Sequence, residues 1–181
     1  MLIPHDQMLK AIEEHGYTGL AYYKEGGGRL VFTAQSHKDI VIKYPGRIQN
    51  YHDAVEFGRA QSDTEIHFYN NVDKKLQYLL CPIVEVLHVY SLPVLVMRKA
   101  ELIENDDYTN IINLIMHYTD EPIAFMQDLL ELLQIHYVSD VLYNLKNWGL
   151  VDGKLKCIDY GLDEGTLYED MEVLIKHVNQ V

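Results

Sequence analysis

Cysteine, basic residues and long apolar runs are all scarce in this sequence. Only two cysteines occur, Cys81 and Cys157, each inside an apolar stretch, and neither belongs to a C-x-x-C pair. That argues against a zinc knuckle, and two such thiols suit a reducing compartment, so a cytoplasmic location is expected. The nine histidines are scattered, with no H-E-x-x-H, and read as surface or half-buried side chains rather than metal ligands. Lys and Arg number 15 against 27 Asp and Glu, a formal net charge of −12. Nonspecific nucleic-acid binding needs a basic face that displaces counterions, so no direct nucleic-acid contact is expected. A small phosphate site remains compatible with that charge. No segment approaches the ~20 apolar residues that span a bilayer, so no membrane partner is expected. The opening residues, MLIPHDQMLKAIEEHG, lack the basic-then-apolar order of a signal peptide. Repeats and low-complexity linkers are absent as well.

What the chain does have is apolar mass. Hydrophobic residues make up 48% of its 181 positions, enough for a real core in one domain, or in one domain with two small lobes. Residues 5–15 (HDQMLKAIEEH) read as a short helix with Met8 and Ile12 on one side and Gly16 as its stop. GLAYY, RLVFTA and DIVIKY read as three strands, the first two joined through Lys24, Glu25, Gly26, Gly27 and Gly28, the third ended by Pro45-Gly46. Ile66, Tyr69, Val72 and Leu76 recur at helical spacing, which predicts a helix over 63–79 capped by Ser62 or Asp63. PIVEVLHVY and VLVMRKAE form a second strand pair, with the turn placed at Ser91-Leu92-Pro93. Helices are expected over 105–117, with an acidic first turn, over 121–136, with Pro122 in the first turn, and near 166–179. Between the last two, NWGLV and KLKCIDY flank Asp152-Gly153, a two-residue hairpin signal. The fold class is therefore α+β: a small antiparallel sheet with one helix inserted after its third strand, then a short helical lobe carrying one hairpin.

Four positions share a chemical logic. Strand alternation puts Val41 and Lys43 on one face and Ile40 and Ile42 on the other. A Lys facing inward from a strand needs an anionic partner, because an unpaired buried ammonium is costly; at a strand end it can instead reach water. Glu65, early in the expected helix, could supply that carboxylate, or be a first-turn Glu favoured by the helix dipole. Asn147 and Asp159 face each other across the open end of the hairpin. An amide oxygen and a carboxylate there make a hard-oxygen site for Mg²⁺, although Asp159 can also cap the turn before Gly161. Gly26, Gly27 and Gly28 can offer backbone N–H groups to a phosphate or form a plain hairpin tip.

The series of glycine turn, strand Lys43, helix Glu65, strand pair, apolar helix and NWGLVDGKLKCIDYG resembles the protein-kinase fold over about residues 16–165. NWGLVDGKLKCIDYGL also resembles the matching stretch of small kinase-like proteins of tailed phages and bacteria. The resemblance implies a two-lobed molecule, 1–98 forming the strand-rich lobe and 99–181 a reduced helical lobe. It implies that Lys43 holds nucleotide phosphates, that Glu65 fixes Lys43, and that Asn147 and the Asp159 of Asp159-Tyr160-Gly161 hold Mg²⁺. The glycines 26–28 would cover the phosphates, and Met97 and Lys99 would lie at the hinge, near Arg98 and Ala100, against the nucleotide.

Three departures from the family pattern shape the functional expectation. The catalytic Asp should stand five residues before the Asn, where this chain has Leu142; Asp140 lies two residues earlier and is the candidate base. The glycines lack full G-x-G-x-x-G spacing. Beyond Gly161 only 20 residues follow, without the usual peptide-docking helices. The expected function is a kinase-like protein that binds ATP and Mg²⁺ and transfers phosphate with degenerate machinery, to a small-molecule acceptor rather than a large protein. The alternatives are a pseudokinase, or an acidic protein-interaction module that modulates a protein partner without catalysis.

Overall fold

The structure is a computed structural model that describes residues 5–26, 28–46, 51–103, 110–135, 144–160, 175 and 178. The chain is mixed α and β, in two compact units: Met1–Ile66 with Pro82–Lys99, and His67–Cys81 with Ala100–Val181.

The first unit is built on a five-stranded antiparallel sheet. Helix α1 (His5–Glu14) is followed by β1 (Leu20–Glu25), β2 (Arg29–Ala34) and β3 (His37–Pro45). Helix α2 (Tyr51–Asn71) comes next, and β4 (Ile83–Val89) and β5 (Leu92–Arg98) complete the sheet in the order β1-β2-β3-β5-β4. In register, Phe32 pairs with Ile42 and Ile42 with Val96, while Val31 pairs with Lys43 and Lys43 with Leu95. The period of two then sorts the side chains. Leu30, Phe32, Ile40, Ile42, Tyr44, Val94 and Val96 share one face and form a core with Met8 and Ile12 of α1. Each such fully buried aliphatic stabilises the fold by about 1.5–3 kcal/mol. Arg29, Val31, Val41, Lys43, Leu95 and Met97 occupy the opposite face. Residues 40–46 are buried on both faces, which is why Ile40-Val41-Ile42 is continuously apolar rather than alternating with polar residues.

Two local expectations are corrected here. The turn between β4 and β5 lies at Tyr90 and Ser91, both at positive φ (51° and 65°), and not at Ser91-Leu92-Pro93. Leu92 and Pro93 are already in β5, and Pro93 is tolerated because β3 pairs with β5 only from Leu95 onward. Helix α2 also starts at Tyr51 and ends at Asn71, so Ser62 and Asp63 lie inside the helix rather than capping it. Its buried positions include Ala54, Gly58, Ser62, Glu65 and Phe68, at helical spacing. Small and polar residues on the inward stripe hide the amphipathic signal that large aliphatics would have displayed. At the other end, the Asn71 side chain donates to the His67 carbonyl at 2.7 Å, taking an acceptor the next turn would need.

The second unit holds a 3₁₀ turn (Gln77–Leu79), β6 (Glu101–Leu102), α3 (Ile111–Tyr118), α4 (Pro122–Ile135), a 3₁₀ turn (Leu145–Asn147), β7 (Trp148–Val151) and β8 (Lys154–Cys157). β7 and β8 form the expected hairpin through Asp152 (φ 52°) and Gly153 (φ 74°). Both residues of this turn are left-handed, which suits Asp-Gly. β6, which the sequence did not reveal, adds a third strand beside β7. A two-residue strand carries no periodicity to read. Helix α3 begins later than expected: Asn110 is its N-cap, and its side-chain oxygen accepts from the Asn113 N–H at 3.0 Å. Its expected acidic first turn lies outside the described residues, as does most of the expected last helix. Among the described residues no helix is long and apolar enough to cross a membrane.

Candidate functional site

The first unit concentrates its buried charge at one place. Arg29 opens β2, Lys43 lies near the end of β3, and both are on the sheet face opposite the α1 core. Glu65 stands deep within α2, not in its first turn, so the dipole explanation for an acid at this position does not apply. The Arg29 guanidinium grips the Glu65 carboxylate with both nitrogens, Nη1 to Oε2 at 2.6 Å and Nη2 to Oε1 at 3.2 Å. Lys43 Nζ reaches Oε1 at 3.5 Å. Glu65 is 0%, Arg29 3% and Lys43 6% exposed. A carboxylate taken that far out of water costs several kcal/mol unless it is paired and hydrogen-bonded. The planar fork of an Arg meets that need better than the point charge of a Lys.

Arg29 is the residue that sequence reasoning missed. Read as the first residue of the strand RLVFTA, it drew no attention. The signal was present in the strand phase, which puts Arg29, Val31 and Thr33 of RLVFTA on the Lys43 side of the sheet. One helical turn before Glu65, the Ser62 hydroxyl is fully buried and has no hydrogen-bond partner among the described residues.

The glycine turn is anchored to this site. Gly28 packs directly on α2: a Cβ there would lie 2.6 Å from the Phe57 ring and 2.8 Å from the Gly58 nitrogen. A Cβ on Gly58 would lie 2.0 Å from the Gly28 oxygen. Close approach of turn and helix therefore accounts for both Gly28 and Gly58. Gly26 is exposed, and its N–H donates to the Arg29 carbonyl at 2.8 Å. Gly27 lies outside the described residues. Of the two hinge candidates, Met97 is buried in β5 beside Val41 on the Lys43 face. Lys99 is exposed, with its ammonium 5.6 Å from the centre of the Tyr23 ring and its backbone N–H donating to the Asp39 carbonyl.

In the second unit, Asn147 and Asp159 flank the open end of the β7–β8 hairpin. Trp148 pairs with Cys157, and just beyond them the Ile158 N–H donates to the Asn147 carbonyl at 2.6 Å. Asn147 is buried and Asp159 half-buried. Among the described residues no group of three or more His, Cys, Asp and Glu side chains is placed to hold a metal ion. Mg²⁺ asks for less, one or two protein oxygens beside phosphate and water, so an amide oxygen and a carboxylate fit it. Asp140 and Leu142 lie outside the described residues.

The second unit also contains an open cavity of about 670 Å³, lined by Tyr78, Phe125, Asp128, Lys154 and Lys156 among others. Tyr78 donates to Asp128 at 2.7 Å, and burial, then this hydrogen bond, push its hydroxyl above the ordinary tyrosine range. Burial and the neighbouring Lys154 push the Lys156 ammonium down.

No protein-family model matches this chain, and no curated protein is significantly similar to it.

Proposed function

We propose that the chain is a kinase-like module that binds ATP with Mg²⁺, its two units corresponding to the strand-rich and reduced helical lobes of that fold. The observation that carries this reading is the buried Lys43–Glu65 ion pair, joining the third strand of a five-stranded sheet to the helix that follows. The protein-kinase fold uses a strand Lys and a helix Glu in this way to hold nucleotide phosphates. Lys43 is the phosphate ligand, Glu65 orients it, and Met97 offers an apolar side chain on the same sheet face. Asn147 and Asp159 are the oxygen donors for Mg²⁺, which when bound neutralises phosphate charge. Asp140 is the candidate base for a hydroxyl acceptor on a small molecule. A pseudokinase reading is favoured by one observation, Leu142 at the position where the family places its base.

The test is isothermal titration with ATP and MgCl₂ on the wild type and on Lys43→Met. Saturable heat is expected, with affinity at least about tenfold weaker in the variant, since a charge-assisted phosphate contact exceeds the ~1.4 kcal/mol of one decade. No heat and no thermal shift at millimolar nucleotide, with the protein folded, overturns the reading. Phosphate transfer that vanishes in Asp140→Ala while nucleotide binding persists would separate enzyme from pseudokinase.

A further inference from the structure

Glu65 is shared by two cations, and they hold it unequally. Arg29 meets both carboxylate oxygens, at 2.6 and 3.2 Å, whereas Lys43 meets one, at 3.5 Å. A bidentate guanidinium contact fixes a carboxylate in plane and in distance; a single ammonium contact fixes neither. We propose that Arg29 is the positioning residue of this site: its fork holds the Glu65 carboxylate, so that Lys43 keeps the longer contact, the one that yields to an incoming phosphate. The purpose of this arrangement rests on the nucleotide reading above; its geometry does not. The backbone around Arg29 supports such a role. The preceding Gly28 is packed against Gly58 of α2 with no room for a side chain, so the point where Arg29 leaves the turn is tied to the helix that carries Glu65. Where helix movement makes and breaks the Lys–Glu pair, the pair is a switch. Here Arg29 and the Gly28–Gly58 approach keep the carboxylate of α2 beside the sheet whether or not phosphate is bound.

The experiment compares the rate at which an amine-reactive ester acylates Lys43, read by peptide mass spectrometry, in the folded wild type, Arg29→Met, Glu65→Gln and the double variant. If Arg29 holds the carboxylate, removing it turns Glu65 fully onto Lys43. Acylation of Lys43 then slows by roughly three- to tenfold, as expected when an ammonium gains a charge-assisted hydrogen bond. Adding Arg29→Met to Glu65→Gln has no such effect. A merely structural Arg29 gives the opposite sign, because a loosened site exposes Lys43 and speeds its acylation. Should Arg29→Met fail to fold, Arg29→Lys keeps the charge, loses the fork, and slows acylation by a smaller factor. An unchanged or faster rate, or slowing that persists without Glu65, overturns the proposal. MgATP titration of the same proteins separates the two readings. Slower acylation together with no nucleotide binding by the wild type sinks the nucleotide reading and leaves the role of Arg29 standing.

Discussion

Tyr17 shows how one side chain ties stability to pH in the first unit. Its hydroxyl donates to Glu85 of β4 at 2.6 Å. Burial first, and then the carboxylate, push its pKa from the ordinary 10.0 up to about 12. The folded state therefore keeps this proton to higher pH than the unfolded chain does. The stabilisation is fully present below pH 10 and is lost as pH rises through the folded value. Denaturant titrations between pH 10 and pH 12 should show the wild type losing stability more steeply than Tyr17→Phe; equal slopes would mean that the phenol is not held as described. Glu65 is a carboxylate with no access to water, held by the two buried cations. Its neighbourhood was only half legible from the sequence. Lys43 stood out as a charge in an apolar strand, while Arg29, at the very start of its strand, was passed over.

Helix α2 is where local pattern and tertiary demand part company. Its inward stripe of Ala54, Gly58, Ser62 and Glu65 faces the ends of β2 and β3, where Gly28 and the two cations lie. Close approach asks for small side chains, and ion pairing asks for a carboxylate. Neither produces the aliphatic repeat from which a helix is recognised, so only the portion around Ile66 to Val72 was visible and the helix was expected to start too late. Gly58→Ala tests the packing directly. Alanine favours a helix by about 1 kcal/mol over glycine, but its Cβ would meet the Gly28 carbonyl oxygen at 2.0 Å. Overpacking of this kind costs about 1–3 kcal/mol, and a backbone atom cannot swing aside as a side chain can. A net loss on the order of 1 kcal/mol is expected in urea denaturation, and an unchanged or raised midpoint would show that turn and helix separate easily. The β7–β8 hairpin is the opposite case. Asp152-Gly153 and its flanking strands were readable because a two-residue turn states its own geometry.

At the scale of the whole molecule, the charge of −12 sets what the protein attracts. Arg29 and Lys43 are buried against Glu65, so they add little positive charge to the surface. In electrophoretic shifts with random-sequence duplex DNA near physiological salt, no retention is expected at micromolar protein, because 15 Lys and Arg against 27 Asp and Glu favour repulsion over counterion release. Retention under those conditions would require a basic surface that the composition does not suggest. Composition, strand alternation and turn chemistry by themselves determined the α+β class, most of the strands, the β7–β8 hairpin and the candidacy of Lys43 and Glu65. These are local quantities, readable within a few residues of one another. Only the tertiary structure decided that Glu65 lies deep in a long helix, that Arg29 shares it with Lys43, and that Gly28 serves the approach of a helix. Each of these depends on which strand face and which helix face meet, and segments far apart in sequence settle that by packing.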